Sequence, residues 1–131
     1  SHPAATLNGY GGSTVRGYTF SGTVGAIVQR ASIEGLRTEY GSAFGVDVIT
    51  DASGIMLVDT TVDDVAAGIG GSVSSPTPTK DPKAYGFYLG AEAGAVTMVR
   101  TCATNMSGLY GTSFVDDHTA TGARILDSCS S

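Results

Sequence analysis

The stretch Gly54-Ile55-Met56-Leu57-Val58-Asp59-Thr60-Thr61-Val62 decides the fold, because the chain carries it in four versions. The others are Gly25-Ala26-Ile27-Val28-Gln29-Arg30-Ala31-Ser32-Ile33, Ala95-Val96-Thr97-Met98-Val99-Arg100-Thr101-Cys102-Ala103 and Gly122-Ala123-Arg124-Ile125-Leu126-Asp127-Ser128-Cys129-Ser130. Ala26 and Ile55 are 29 residues apart, and Val96 and Ala123 are 27 apart. Ile55 and Val96 are 41 apart, which fits the same period if about a dozen residues are inserted. The insert is visible as Gly71–Lys83, which holds Pro76, Pro78 and Pro82. Proline lacks the amide a strand interior needs, so this segment reads as an extended surface loop.

The similarity extends outward from the run. Leu36, Val65 and Met106 follow it at equal spacing, and then Tyr40-Gly41, Ile69-Gly70 and Tyr110-Gly111. Upstream, Gly17-Tyr18-Thr19-Phe20, Gly45-Val46-Asp47-Val48 and Gly86-Phe87-Tyr88-Leu89 alternate with period two. One unit therefore reads as short strand, turn, longer strand, turn and short apolar piece. In the last unit Tyr110-Gly111-Thr112-Ser113-Phe114 matches Tyr40-Gly41-Ser42-Ala43-Phe44, and the rest is two residues shorter.

A unit this short cannot bury its own apolar face, but stacked units can. Short runs, β-branched residues and frequent glycine select strands over helices. The fold class is therefore all-β: a single-stranded parallel β-helix, or β-solenoid, of about four coils with one inserted loop at 71–83. Residues 1–16 form a polar lead-in or partial coil, and residues 17–131 form the β-helix domain.

Two columns test parallel, in-register stacking. Equivalent residues on stacked strands lie roughly 4.8 Å apart. The position after the apolar run holds Arg30, Asp59, Arg100 and Asp127, so the charges alternate in sign up the stack. Opposite neighbours contribute about 0.2–1 kcal/mol each, and like charges repel. Two positions on, Cys102 and Cys129 share a column on adjacent coils. A spacing near 4.8 Å falls within the roughly 4.4–6.8 Å that a disulfide spans. The pair points to an oxidising, extracellular or virion setting; the alternative is two buried free thiols.

Composition excludes several functions. The net charge is −5 and there is no Lys/Arg cluster, so nucleic acid is not an expected partner. No apolar run reaches membrane-spanning length. The chain opens on Ser1 without a secretory leader and is expected to be processed or trimmed. No zinc-ligand spacing, phosphate-binding loop or calcium-loop motif is present, so neither a metal nor a cofactor is expected.

Five groups of residues bear on chemistry. Asp116, Asp117 and His118 form the acid–histidine cluster, a candidate acid, base and orienter; the competing reading is a polar capping coil. Tyr85, Tyr88 and Tyr110 are candidate sugar platforms where they face outward, and core rings otherwise. Lys80 and Asp81 lie in the inserted loop, the kind of segment that carries ligand contacts on a rigid scaffold. Asp47, Asp51, Asp59, Asp63 and Asp64 make one acidic stretch, with Asp63-Asp64 placed at a turn. Asn105-Met106-Ser107 has the pattern of a glycosylation sequon.

Stacked units with a glycine before the strand and Ser/Thr/Cys ladders resemble the right-handed parallel β-helix of pectate-lyase-like enzymes and phage tailspikes. The resemblance runs from about Gly17 to Ser130. It implies a structural and glycan-binding domain of a virion tail spike or fibre, attaching to host surface polysaccharide. A homotrimer or flanking domains would cap the open ends. The alternatives are an extracellular polysaccharide lyase or glycosidase using Asp116, Asp117 and His118, and a self-assembling extracellular structural or adhesive protein.

Overall fold

The computed structural model describes residues 5–11, 14–39, 41–69, 82–119 and 122–130. Within them the chain is all-β, without helices, and its strands form three parallel sheets. Sheet A holds β1 (Ala5–Gly11), β4 (Ala31–Thr38), β7 (Thr61–Ala67), β10 (Cys102–Gly108) and β13 (Cys129–Ser130). Sheet B holds β2 (Val15–Ser21), β5 (Ala43–Ile49), β8 (Ala84–Leu89) and β11 (Thr112–Asp117). Sheet C holds β3 (Ile27–Gln29), β6 (Ile55–Val58), β9 (Val96–Val99) and β12 (Arg124–Leu126). Each strand pairs with the strand three elements further along, always in parallel, so the chain visits the three sheets in a fixed cycle. A β-solenoid fits this arrangement.

The apolar run is not one long strand, as the sequence suggests. It is split across two sheets by a single residue in the left-handed conformation. Arg30, Asp59, Arg100 and Asp127 have φ of 53°, 50°, 50° and 51°. Each turns the chain from sheet C into sheet A. The conformation costs a side-chain-bearing residue about 1–2 kcal/mol, and stacking offsets that cost. The amides of Arg30, Asp59 and Arg100 donate to the carbonyls of Val58, Val99 and Leu126 at 2.9, 2.9 and 2.8 Å, so the ladder continues through the corner. Asp59 and Arg100 pair through two contacts of 2.5 and 3.2 Å. The alternating charges thus stand at a left-handed corner of the chain.

A second left-handed column lies inside sheet A at Gly35, Asp64 and Asn105. It resets the alternation of side chains, so that Ile33 and Leu36, and likewise Val62 and Val65, all point inward. The turn expected at Asp63-Asp64 is therefore a kink within β7. It bends the strand without ending it, because the ladder resumes at Leu36↔Val65 and Met106↔Val65.

Sheet B bends at a glycine column, Gly17, Gly45 and Gly86. A Cβ on Gly45 would lie 2.6 Å from the Gly86 carbonyl oxygen and 2.7 Å from both methyls of Val62, so sheets A and B approach each other only across glycine. In the interior, Val46, Val48, Phe87 and Leu89 are closed to solvent, and Phe20 is nearly so. The inward columns run Tyr18↔Val46↔Phe87 and Phe20↔Val48↔Leu89, in the register the sequence predicts.

The N-terminal segment supplies β1, paired with β4, with Tyr10 opposite Arg37. Most of the inserted loop, including Lys80 and Asp81, lies outside the described residues. The chain re-enters at Pro82 and Lys83, whose carbonyls accept from the Tyr110 and Ala43 amides at 2.9 and 3.0 Å.

Candidate functional site

Parallel stacking brings outward residues of sheet B into two vertical columns. One holds Arg16, Phe44, Tyr85 and Ser113; the other holds Thr19, Asp47, Tyr88 and Asp116. Equivalent residues must lie one strand apart, so two aromatic residues in one column are forced to stack. The Phe44 and Tyr85 rings lie 4.8 Å apart and nearly parallel, at 5°. Tyr88 meets both rings edge-on, at 5.5 Å from Phe44 and 5.4 Å from Tyr85. All three are half-buried, so one part of the cluster packs on the sheet and another faces water.

Charged groups frame the rings. At one end the Arg16 guanidinium carbon lies 5.1 Å from the Phe44 centroid. Arg16 Nε donates to Asp47 Oδ2 at 2.8 Å, and Thr19 Oγ1 donates to Asp47 Oδ1 at 2.7 Å. Asp47 is 1% exposed, and these bonds satisfy its buried carboxylate. At the other end His118 Nε2 lies 2.9 Å from Asp116 Oδ1, and the imidazole is tilted against Tyr88 at 5.6 Å. Burial pushes the Tyr85 hydroxyl above its ordinary pKa, and the nearby charge of Asp116 and the Tyr88 hydroxyl add to this. Tyr85 is thus a neutral donor through the physiological range.

The acid–histidine cluster does not converge on one point. Successive strand residues face opposite ways, so Asp116 and His118 share the outer face, whereas Asp117 occupies the Leu89 column. The Asp117 carboxylate accepts from the Thr119 amide and hydroxyl at 2.9 and 2.8 Å and from the Ala123 amide at 2.7 Å. Burial acts to raise its pKa, but these hydrogen bonds outweigh it and hold the carboxyl below the ordinary value. Asp117 secures the turn into β12.

Tyr85 and Tyr88 belong to the cluster. Tyr110 sits at the β10–β11 turn and contributes none of the cluster's ring contacts. Sequence reasoning missed Phe44 and Arg16, and it placed Asp47 in the acidic stretch and not beside the aromatic residues. It paired Phe44 with Phe114, whereas Phe44 stacks on Tyr85, Ser113 takes the next place in that column, and Phe114 falls in the glycine column beside Gly86. A one-residue slip in a strand moves every side chain to the other face. The period-two match of Ala43-Phe44-Gly45 to Ala84-Tyr85-Gly86 carried the correct register.

The acidic stretch is dispersed among structural roles. Asp59 pairs with Arg100, whose hydrogen bond holds the Asp59 carboxyl below its ordinary range. Asp63 accepts from Asn105 Nδ2 at 2.7 Å and Thr104 Oγ1 at 2.8 Å, which likewise lowers its pKa. Asp64 pairs with Arg37 at 2.7 Å. No group of three or more His, Cys, Asp or Glu placed to hold a metal occurs among the described residues. Cys102 and Cys129 face each other across β10 and β13 with Cα atoms 4.6 Å apart and are joined by a disulfide.

Comparison with protein families, with curated proteins and with solved structures yields no match to this chain.

Proposed function

We propose that the chain is a right-handed parallel β-helix of four coils that binds surface glycan on the outer face of sheet B. Its setting is an extracellular structural domain such as a virion tail spike or fibre. Handedness follows from the strong right-handed preference of crossovers between parallel strands. One observation carries the binding assignment: the Phe44–Tyr85 stack with Tyr88 edge-on, half-exposed and framed by Arg16 and the Asp116–His118 pair. Sugar rings present C–H faces that pack on aromatic rings, and hydroxyls that bond to carboxylate, imidazole and phenol. A rigid sheet holds these groups in place with little ordering cost on binding.

The test is binding of the folded protein to a panel of neutral and acidic polysaccharides, read by glycan-array retention and titration calorimetry. A bound member of the panel is expected to lose about two- to ten-fold in affinity in Tyr88→Ala, given the about 0.5–1.5 kcal/mol of an aromatic contact. Absence of binding to the whole panel at millimolar sites would sink the assignment. The Asp116–His118 contact also suits general acid–base chemistry, which is the alternative reading as a polysaccharide lyase or glycosidase. New reducing ends or unsaturated uronate that disappear in Asp116→Asn would establish cleavage in place of simple binding.

A further inference from the structure

The ladder of sheet B continues one residue ahead of β8, and that residue is a lysine. The Ala43 amide donates to the Lys83 carbonyl at 3.0 Å, and the Lys83 amide donates to Ser42 Oγ at 3.0 Å. Ala84, the next residue, is closed to solvent. Successive strand residues face opposite ways. Lys83 therefore shares the outer face with Tyr85, two residues on, and it is exposed. The row continues to Tyr88, with Asp116 next in the Tyr88 column and His118 in contact with Asp116.

The two ends of this aromatic row differ in charge. Asp116 places a carboxylate at one end, and Lys83 places an ammonium at the other. The Arg16 guanidinium on the same face is bonded to the buried Asp47. Lys83 makes no ion pair among the described residues. Its neighbours up and down the stack are Ser42 and Gly111, and neither carries a charge.

We propose that the glycan on sheet B carries one anionic substituent, a carboxylate or a sulfate, which Lys83 binds while neutral rings of the same ligand pack on Tyr85 and Tyr88. The inference rests on the glycan reading of this face and adds the ligand's charge and direction. An ammonium is a compact point charge with three donors, suited to either anion. The acidic unit lies at the Lys83 end, because Asp116 disfavours an anion at the other. A polysaccharide charged on every unit is disfavoured twice: its further charges would fall towards Asp116, and the protein itself carries a net charge of −5. Lys83 and Tyr88 are separated by about 16 Å of strand at the usual rise per residue. The ligand is therefore an oligosaccharide stretch laid along β8 and not a single ring.

Retention of the whole chain on an oligosaccharide array tests the inference. Each neutral backbone is printed beside versions bearing one carboxylate, one sulfate, or a charge on every ring. The singly anionic versions are expected to bind about two- to five-fold better than their neutral parents, the gain of one exposed ion pair. That gain should shrink as salt is raised. Lys83→Ala should bring the singly anionic versions down to their neutral parents, and Lys83→Glu should bring them lower. Tyr88→Ala should weaken neutral and anionic versions alike. A gain confined to the carboxylate or to the sulfate identifies the group. Circular dichroism melting confirms that each variant is folded. Equal retention of neutral and singly anionic versions, a gain that survives Lys83→Ala, or a preference for fully charged chains would overturn the inference and leave the glycan assignment standing. An array that retains none of its members would remove both.

Discussion

Midway along the stack, the inward column of sheet C is sealed: Leu57 and Met98 are each 0% exposed. One level further on, Ile125 occupies the same column and is 37% exposed. The residue types are equivalent and the strand geometry is the same. What differs is that Leu57 has a strand on either side, whereas Ile125 has β9 on one side only. Sheet B shows the same contrast: Phe87 is closed to solvent, and Phe114 and Val115 on the last strand are half-buried. At the β11–β12 end of the stack, burial is thus a property of the level more than of the residue, whereas at the other end Val28 on β3 stays closed to solvent.

Paired truncations would break or sharpen this contrast most strongly. Leu57→Ala should cost about 2–5 kcal/mol, since it leaves a cavity between two strands that cannot collapse. Ile125→Ala should cost below about 1 kcal/mol, because part of its side chain already lies in water. Urea denaturation of the two variants measures both. Equal losses would mean that something covers the last level.

The disulfide comes next. It ties β13 to β10 across a sequence separation of 27. Loop-closure entropy for that length is worth about 3–4 kcal/mol. Cys129→Ala should lower stability by up to that amount. By hydrogen exchange, the lost protection should be confined to β12 and β13, while β6 and β9 keep theirs. If all levels lose protection together, the stack behaves as one cooperative unit and the contrast between levels is static only.

The smallest effect concerns the turn between β11 and β12. Asp117 has a lowered pKa in the folded chain. It therefore contributes stability above its ordinary value of 3.8, and that contribution is lost as pH falls through the folded value. The lowered Asp59 titrates in the same direction and window. Melting temperatures at about pH 7, 4 and 2 should fall in acid, and Asp117→Asn should reduce the slope without removing it. An unchanged slope would mean that the last turn does not contribute to the acid transition.

Much of this architecture is legible in the residues. Spacing alone aligns Arg30, Asp59, Arg100 and Asp127, and the same alignment predicts the bonded pair Cys102 and Cys129. The aromatic cluster is legible only in part. Tyr85 and Tyr88 stand out as aromatic residues on a period-two strand, but their neighbour Phe44 was hidden by a plausible match to Phe114 one residue out of register. Asp116-Asp117-His118 looks like one constellation in sequence; the strand pleat separates Asp117 from the other two.

By itself, then, the sequence determined the strand class, the parallel stacking and the columns, because a repeat with one spacing can satisfy its ladder only by placing like upon like. The tertiary structure alone decided where the chain turns and which side chains meet. A corner made by one left-handed residue leaves no mark in hydrophobic periodicity, and a kink or glycine approach shifts the faces that periodicity assigns. Burial depends on what covers each level, and that is a fact of assembly that no single repeat contains.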